Sequence, residues 1–161
     1  MSELRIEVDS RRVAEAIRRA PRLLESELHR ALGRIGHDIA RDAKAFAPKG
    51  GTSLLTNAIN VRQPDISSVE VFAGVQYSTY VEKGTPPHFP NVQHIQDWVE
   101  QAGLSPNTAG EDSRDVAWRI ARSIAVAGTP AQPFMEPALE KNRANAGRRV
   151  NAAIDRALEA A

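Results

Sequence analysis

Apolar positions along the chain change their spacing several times, and each change marks a predicted element. Leu4-Arg5-Ile6-Glu7-Val8 alternates apolar with polar residues and predicts a short strand. Asp9 or Ser10 can then accept backbone N–H bonds at the start of a helix running from about Arg11 to Ala20. Pro21 interrupts that helix and suits the first turn of the next, where an amide N–H has no intrahelical partner to lose. The second helix carries the strongest pattern. Leu24, Leu28, Leu32, Ile35, Ile39, Ala43 and Phe46 recur every three or four residues and draw one apolar stripe, with Arg, Glu and Asp opposite. Ala47-Pro48-Lys49-Gly50-Gly51 ends it. Gly33 and Gly36 lie inside it, and either the close approach of another element or simple tolerance accounts for them.

Ser53 to Ile59 can open as a helical turn, running into a strand at Ile59–Gln63. Gln63-Pro64-Asp65-Ile66-Ser67-Ser68 reads as a hairpin turn into a second strand, Val69–Val75, with Val69, Val71, Ala73 and Val75 on one face. Two strands joined this closely pair antiparallel by default. Gln76 to Lys83 predicts a short helix stopped by Gly84, and Thr85–Pro90 is a stiff proline-rich loop. Val92, Ile95, Trp98 and Val99 mark an amphipathic helix ending at Gly103, and the polar stretch Ser105–Asp112 predicts a mobile loop. Val116, Ala117, Ile120, Ile124 and Ala127 define a further helix, closed by Gly128-Thr129-Pro130. The last helix, from about Pro137, carries Leu139, Val150, Ile154 and Leu158 among many Ala and Arg, which predicts loose packing of its C-terminal half. The expected fold class is α+β: a long N-terminal helix and further helices packed on one side of a small antiparallel β-sheet, in a single domain across residues 1–161.

Composition narrows this picture. With two Trp, two Tyr and four Phe in 161 residues, the core must be mostly aliphatic. The absence of cysteine excludes disulfides, thiolate metal sites and cysteine nucleophiles. Met1-Ser2-Glu3-Leu4-Arg5 lacks the apolar run of a secretion signal, and no stretch has the apolar length of a membrane span. The expectation is a soluble protein made in a host cytosol, with no membrane partner. Charge is uneven: net +3 over residues 1–50, −3 over 51–110 and +1 over 111–161. Alternation of sign suits packing against other protein surfaces, including copies of the same chain, better than it suits a polyanion.

Candidate chemistry is sparse. His29 and His37 lie two turns apart on one helix, His88 and His94 flank a proline loop, and no His-Glu-x-x-His spacing occurs. There is no Gly-x-Ser-x-Gly, and Lys49 precedes Gly50-Gly51-Thr52-Ser53, whereas a phosphate loop needs its Lys after the glycines. Glu82, Asp97 and Glu100 read as solvated helix carboxylates. No catalytic residue, metal or cofactor is expected. Arg11, Arg12, Arg18, Arg19 and Arg22, with Arg148-Arg149, could touch DNA phosphates, yet Glu15, Glu25 and Glu27 interleave with the first group, so DNA contact is the less favoured reading.

Three segments together resemble a known family. Ala47-Pro48-Lys49-Gly50-Gly51-Thr52-Ser53-Leu54 resembles an AP-x-x-TG-x-L junction after a long N-terminal helix. Tyr77-Ser78-Thr79-Tyr80-Val81-Glu82-Lys83-Gly84-Thr85 resembles YA-x-YVE-x-GT, and Pro130-Ala131-Gln132-Pro133-Phe134-Met135-Glu136-Pro137-Ala138 resembles PAQPFLxPA. In this order, from about residue 20 to 160, they are similar to the small tail-completion (tail-component) proteins of long-tailed bacteriophages. The chain departs from the pattern at Gly51, which stands before Thr52 where the family has a Thr-Gly pair, and the stretch Val92–Asp112 is expected to vary in length. The resemblance implies a structural virion protein at the head–tail junction, needed for tail completion and head–tail joining. It implies a homo-oligomeric ring, hexameric by expectation, meeting connector and tail-tube or terminator proteins. A tail terminator or minor capsid protein is the alternative within that class, and a DNA-contacting module in the neck channel is the alternative outside it. The motif and interface candidates are Pro48, Gly50, Leu54, Tyr77, Tyr80, Glu82, Gly84, Thr85, Pro133, Phe134 and Pro137. Tyr77 and Tyr80 are expected to pack together, and Phe134 to anchor a core or a subunit interface. The charged N-terminal helix and the loops at 84–91 and 105–112 are the segments expected to meet neighbours.

Overall fold

The apolar stripe that begins at Leu24 becomes the spine of the fold, a 26-residue helix α2 (Pro21–Phe46) with Leu24, Ala31, Ile35, Ile39 and Ala43 buried. The structure is a computed structural model that describes residues 9–49, 53–103 and 111–160. The expected strand at Leu4–Val8, the Gly50-Gly51 pair and positions 105–110 of the expected loop lie outside the described residues. In chain order the elements are α1 (Ser10–Arg19), α2, α3 (Leu54–Asn57), β1 (Ile59–Asp65), β2 (Ser68–Ala73), α4 (Ser78–Lys83), α5 (Val92–Gln101), α6 (Ser113–Ala127) and α7 (Met135–Glu159). The class is α+β, mostly helical, with β1 antiparallel to β2. The elements gather into two compact units, one built from α1, α2, β1, β2 and α7 and the other from α3, α4, α5 and α6.

In the first unit the caps follow the sequence. The Asp9 side chain accepts from Arg11 N at 2.9 Å, and Pro21 is the first residue of α2. The strands pair Ile59 with Ala73, Val61 with Val71 and Arg62 with Glu70, with a register irregularity between Arg62 and Asp65 at the turn. Ile59, Val61 and Gln63 alternate with the exposed Asn60 and Arg62, so one face of the sheet turns inward.

The two glycines of α2 meet that inward face. A Cβ on Gly36 would stand 2.5 Å from Val69 Cγ2 and 2.8 Å from Val61 Cγ1. Close approach, not tolerance, therefore explains Gly36. Gly33 faces only the end of Gln63, whose Nε2 donates to His29 O at 2.9 Å. Gly36→Ala should lower stability by about 1–2 kcal/mol, overpacking outweighing a helix gain of roughly 1 kcal/mol. At Gly147, in α7, a methyl group would meet nothing within 4 Å, so Gly147→Ala should instead stabilise by about 0.5–1 kcal/mol. Urea midpoints of the two variants decide it; a Gly36→Ala protein as stable as Gly147→Ala would mean the helix does not need that approach.

Helix α7 corrects two expectations. It begins at Met135, with Pro137 inside its first turn, where a missing N–H is tolerated. Its C-terminal half is tightly packed: Ala146, Ala153 and Ala157 are at most 1% exposed and Ile154 is 3%. Small side chains do not weaken this contact, because they let α7 lie close along α2. Polar bridges fix the antiparallel register: Arg156 Nε to Glu27 Oε2 at 2.7 Å, Arg149 to Asp38 Oδ2 at 2.7 Å, and Asn142 Nδ2 to Asp42 Oδ2 at 2.8 Å. Asn142 also donates to Ala138 O at 2.9 Å, and Lys141 Nζ lies 3.1 Å from Asp42 Oδ1.

These bonds act on the carboxylates they meet. The hydrogen bond from Arg156 holds Glu27 below its ordinary 4.5, and the one from Asn142 holds Asp42 below its ordinary 3.8, both against the opposing effect of burial. A depressed folded-state value means the native protein binds fewer protons than the unfolded chain in this range. The stability these groups contribute is therefore complete above their ordinary values and drains away as pH falls through the lowered ones. Denaturation midpoints should fall below about pH 4.5, and Asp42→Asn should flatten part of that slope. An unchanged acid slope in Asp42→Asn would remove Asp42 from the account.

Candidate functional site

The second unit is held by a clasp. Gly84-Thr85-Pro86 and Gly128-Thr129-Pro130 are the same tripeptide twice, and the two copies pair as an antiparallel bridge. Thr85 N donates to Thr129 O at 3.0 Å, Thr129 N donates back to Thr85 O at 3.2 Å, and the two hydroxyl oxygens are 2.8 Å apart. Each glycine has positive φ, 71° at Gly84 and 72° at Gly128, with ψ near the extended value. That is a backbone region open essentially to glycine alone. Each following proline has no N–H, so the pairing cannot extend into a longer ladder. Gln132 N adds a bond to Val81 O at 2.8 Å, tying the segment before Phe134 to α4.

The clasp joins two of the three motif segments, since Thr85 ends one and Pro130 begins the other. Gly128 and Thr129 read in the sequence only as the stop of a helix and not as site candidates, although the repeated Gly-Thr-Pro is a visible signal. Of the other candidates, Phe134 is buried at 1% exposure, and Pro48, Glu82 and Pro137 are half-buried. Leu54, Tyr77, Tyr80 and Pro133 are exposed, and Gly50 lies outside the described residues. The expected packing of Tyr77 on Tyr80 does not form. Both rings turn to solvent from a six-residue helix and its N-cap, and the ring pair present among the described residues is Phe89 with Trp118.

Helices α5 and α6 pack on each other. Asn91 caps α5 by accepting from Gln93 N, and Asp112 with Asp115 forms a reciprocal capping box on α6. Their seam is thin: Val99, Val116, Ala117 and Ala121 are buried, while the unit's five aromatic residues are not. Tyr77, Tyr80, Phe89, Trp98 and Trp118 are all between 42% and 62% exposed. Both tryptophans of the chain thus stand at the surface of one helix pair. An ordinary fold reverses this distribution, using its largest apolar side chains for the core. Phe89 and Trp118, with centroids 5.7 Å apart, line an open groove of about 500 Å³ together with Arg119 and Arg122.

The groove brings no nucleophile to a base; aromatic faces and guanidinium groups recognise and hold. No group of three His, Asp or Glu able to hold a metal occurs among the described residues, and no described helix is long and apolar enough to cross a membrane. The N-terminal arginines are partly committed within the first unit, Arg12 to Asp155, Arg19 to Glu15 at 3.0 Å.

Residues 11–84 match the model of a family described as "Bacteriophage HK97-gp10, putative tail-component". The matched span runs from α1 through the sheet to Gly84, so it contains the first motif segment and all of the second but Thr85, and stops before the third. No curated protein and no solved structure matches the chain.

Proposed function

From a chain whose residues 11–84 match a phage tail-component family, we propose a structural virion protein at the head–tail junction, acting in tail completion as a homo-oligomeric ring. The observation that supports an assembly role most directly is the outward-facing aromatic set of the second unit, which is the composition of a protein interface and not of a free surface. Neighbours in the particle would be connector and tail-tube or terminator proteins. Catalysis is not required of such a part.

Deleting the gene from its phage tests the reading. The expected result is DNA-filled heads and separate tails, with infectivity restored by supplying the protein. Normally tailed, infectious particles without it would overturn the assembly role. Overlong tails would point to a terminator instead. The DNA-contacting alternative draws less support, because Arg12, Arg19 and Arg149 already face Asp155, Glu15 and Asp38. It would show as duplex binding that weakens steeply with salt.

A further inference from the structure

The groove on α6 has two halves that ask for different chemistry. Phe89 and Trp118 offer apolar faces, 59% and 48% exposed. Arg119 is held by Glu111 at 3.0 and 3.1 Å, but Arg114 and Arg122, one turn to either side of Trp118, make no ion pair among the described residues. Such a surface is complementary to an apolar side chain with a carboxylate beside it. Tryptophan flanked by arginine is also the composition that dominates binding energy at interfaces.

We propose that this groove is the socket for a second copy of the chain, and that the tip of the β1–β2 hairpin enters it, Ile66 against Phe89 and Trp118 and Asp65 toward Arg122. The inference rests on the ring reading and assigns its contact. The choice of Ile66 follows from charge. Among the exposed large apolar residues, Ile17 is followed by Arg18 and Arg19, Phe46 lies 5.5 Å from Lys141 Nζ, and Phe72 lies 5.7 Å from the Arg62 guanidinium. Leu54 has no acidic residue within ten positions, and Tyr80 has Lys83 one turn on. Trp98 does follow an acid, Asp97, but it lies within the helix α5 and not at a projecting tip, and Asp97 already accepts from Gln93 Nε2 at 3.0 Å. Ile66, 49% exposed, follows Asp65 directly on a turn.

That turn is already set in shape. Ser67 N and Oγ donate to Asp65 Oδ1 at 2.7 Å each, and Ser68 Oγ donates to Oδ2 at 2.7 Å. Those bonds bring the Asp65 carboxyl down to about 2, so it is charged at any pH where the protein would assemble. A tip ordered before binding loses little freedom on docking. Knob and socket lie on different parts of the chain, so each copy offers one of each. Because the two surfaces differ, the contact can repeat head to tail, and that repetition closes into a ring or continues as a filament.

Sedimentation velocity and native mass spectrometry on the full chain test this by mixing. The wild type should form closed oligomers. Ile66→Asp and Trp118→Ala should each sediment as monomers with unchanged helical circular dichroism. An equal mixture should give a one-to-one heterodimer and nothing larger, because only one intact knob and one intact socket remain to meet. Arg122→Glu, an exposed charge, should raise the concentration needed for assembly by about tenfold, and it replaces Trp118→Ala as the socket variant if that protein loses helix. Variants that form rings like the wild type would overturn this interface and leave the ring reading standing. A mixture without heterodimer would show that this knob and this socket do not meet and sink the proposal. A wild type that stays monomeric at millimolar concentration would remove self-docking altogether, while the head–tail role would still be judged by the deletion phage.

Discussion

Gly128→Ala is expected to cost about 3–5 kcal/mol and to strip hydrogen-exchange protection from the Thr85 and Thr129 amides. Two separate penalties add. The backbone at φ 72° and ψ −161° belongs to glycine, and a side chain held there is strained by about 1–3 kcal/mol. A Cβ would also stand 2.0 Å from Thr85 O and 2.9 Å from Pro86 C, and these are backbone atoms that cannot rotate away. Moving them breaks the pair of amide bonds and the threonine hydroxyl contact that make the clasp. Gly84→Ala should act alike, its Cβ meeting Thr129 O at 2.5 Å and Ala131 N at 2.8 Å. Gly103 separates the two penalties, since its φ is 63° but nothing lies within 4 Å. Gly103→Ala should therefore cost only about 1 kcal/mol. Denaturant unfolding of the three variants decides the matter: a Gly128→Ala protein no less stable than Gly103→Ala would mean the clasp is not closed.

Why some of this was readable in the sequence and some was not follows from the same residues. Helix α2 was legible because Leu24, Ile35 and Ile39 bury a stripe whose period is the helix's own. The hairpin was legible because Val69, Val71 and Ala73 alternate across a short polar turn from Val61. Gly36 stayed ambiguous, since helical spacing tells which face a residue occupies and not that Val61 and Val69 lie on the other side of it. The packing of α7 was misjudged because side-chain size stood in for burial, whereas alanines such as Ala146 and Ala153 gain their contacts from the nearness of α2. Asp42 and Asn142, distant in sequence and 2.8 Å apart in space, leave no periodic trace. The candidate surface was the least visible part. Phe89 and Trp118 come from a proline loop and a helix that no local pattern connects, and the pattern that places Trp98 beside Val99 on an apolar face would also bury it. Only the structure shows that Val99 is inside and Trp98 is half out.

Phe134→Ala should cost about 3–5 kcal/mol, while Tyr80→Ala should change stability by less than about 0.5 kcal/mol. In the sequence the two residues look equivalent, each a large aromatic inside a motif segment and each suited to a core or to a subunit contact. Their surroundings divide them. Phe134 heads the largest fully buried side chains at 1% exposure, so truncation removes its transfer energy and leaves a cavity that the rigid Pro133 and the start of α7 cannot collapse to fill. Tyr80 is 62% exposed and leaves no void. Thermal melts of the purified proteins should therefore show a loss of several degrees or more in Tm for Phe134→Ala and almost none for Tyr80→Ala. Complementation of the deletion phage supplies the other half of the comparison. A Tyr80→Ala protein that folds normally but fails to join heads to tails assigns the outward aromatics to assembly. One that joins them at the wild-type rate confines the assembly surface to the groove side of the second unit.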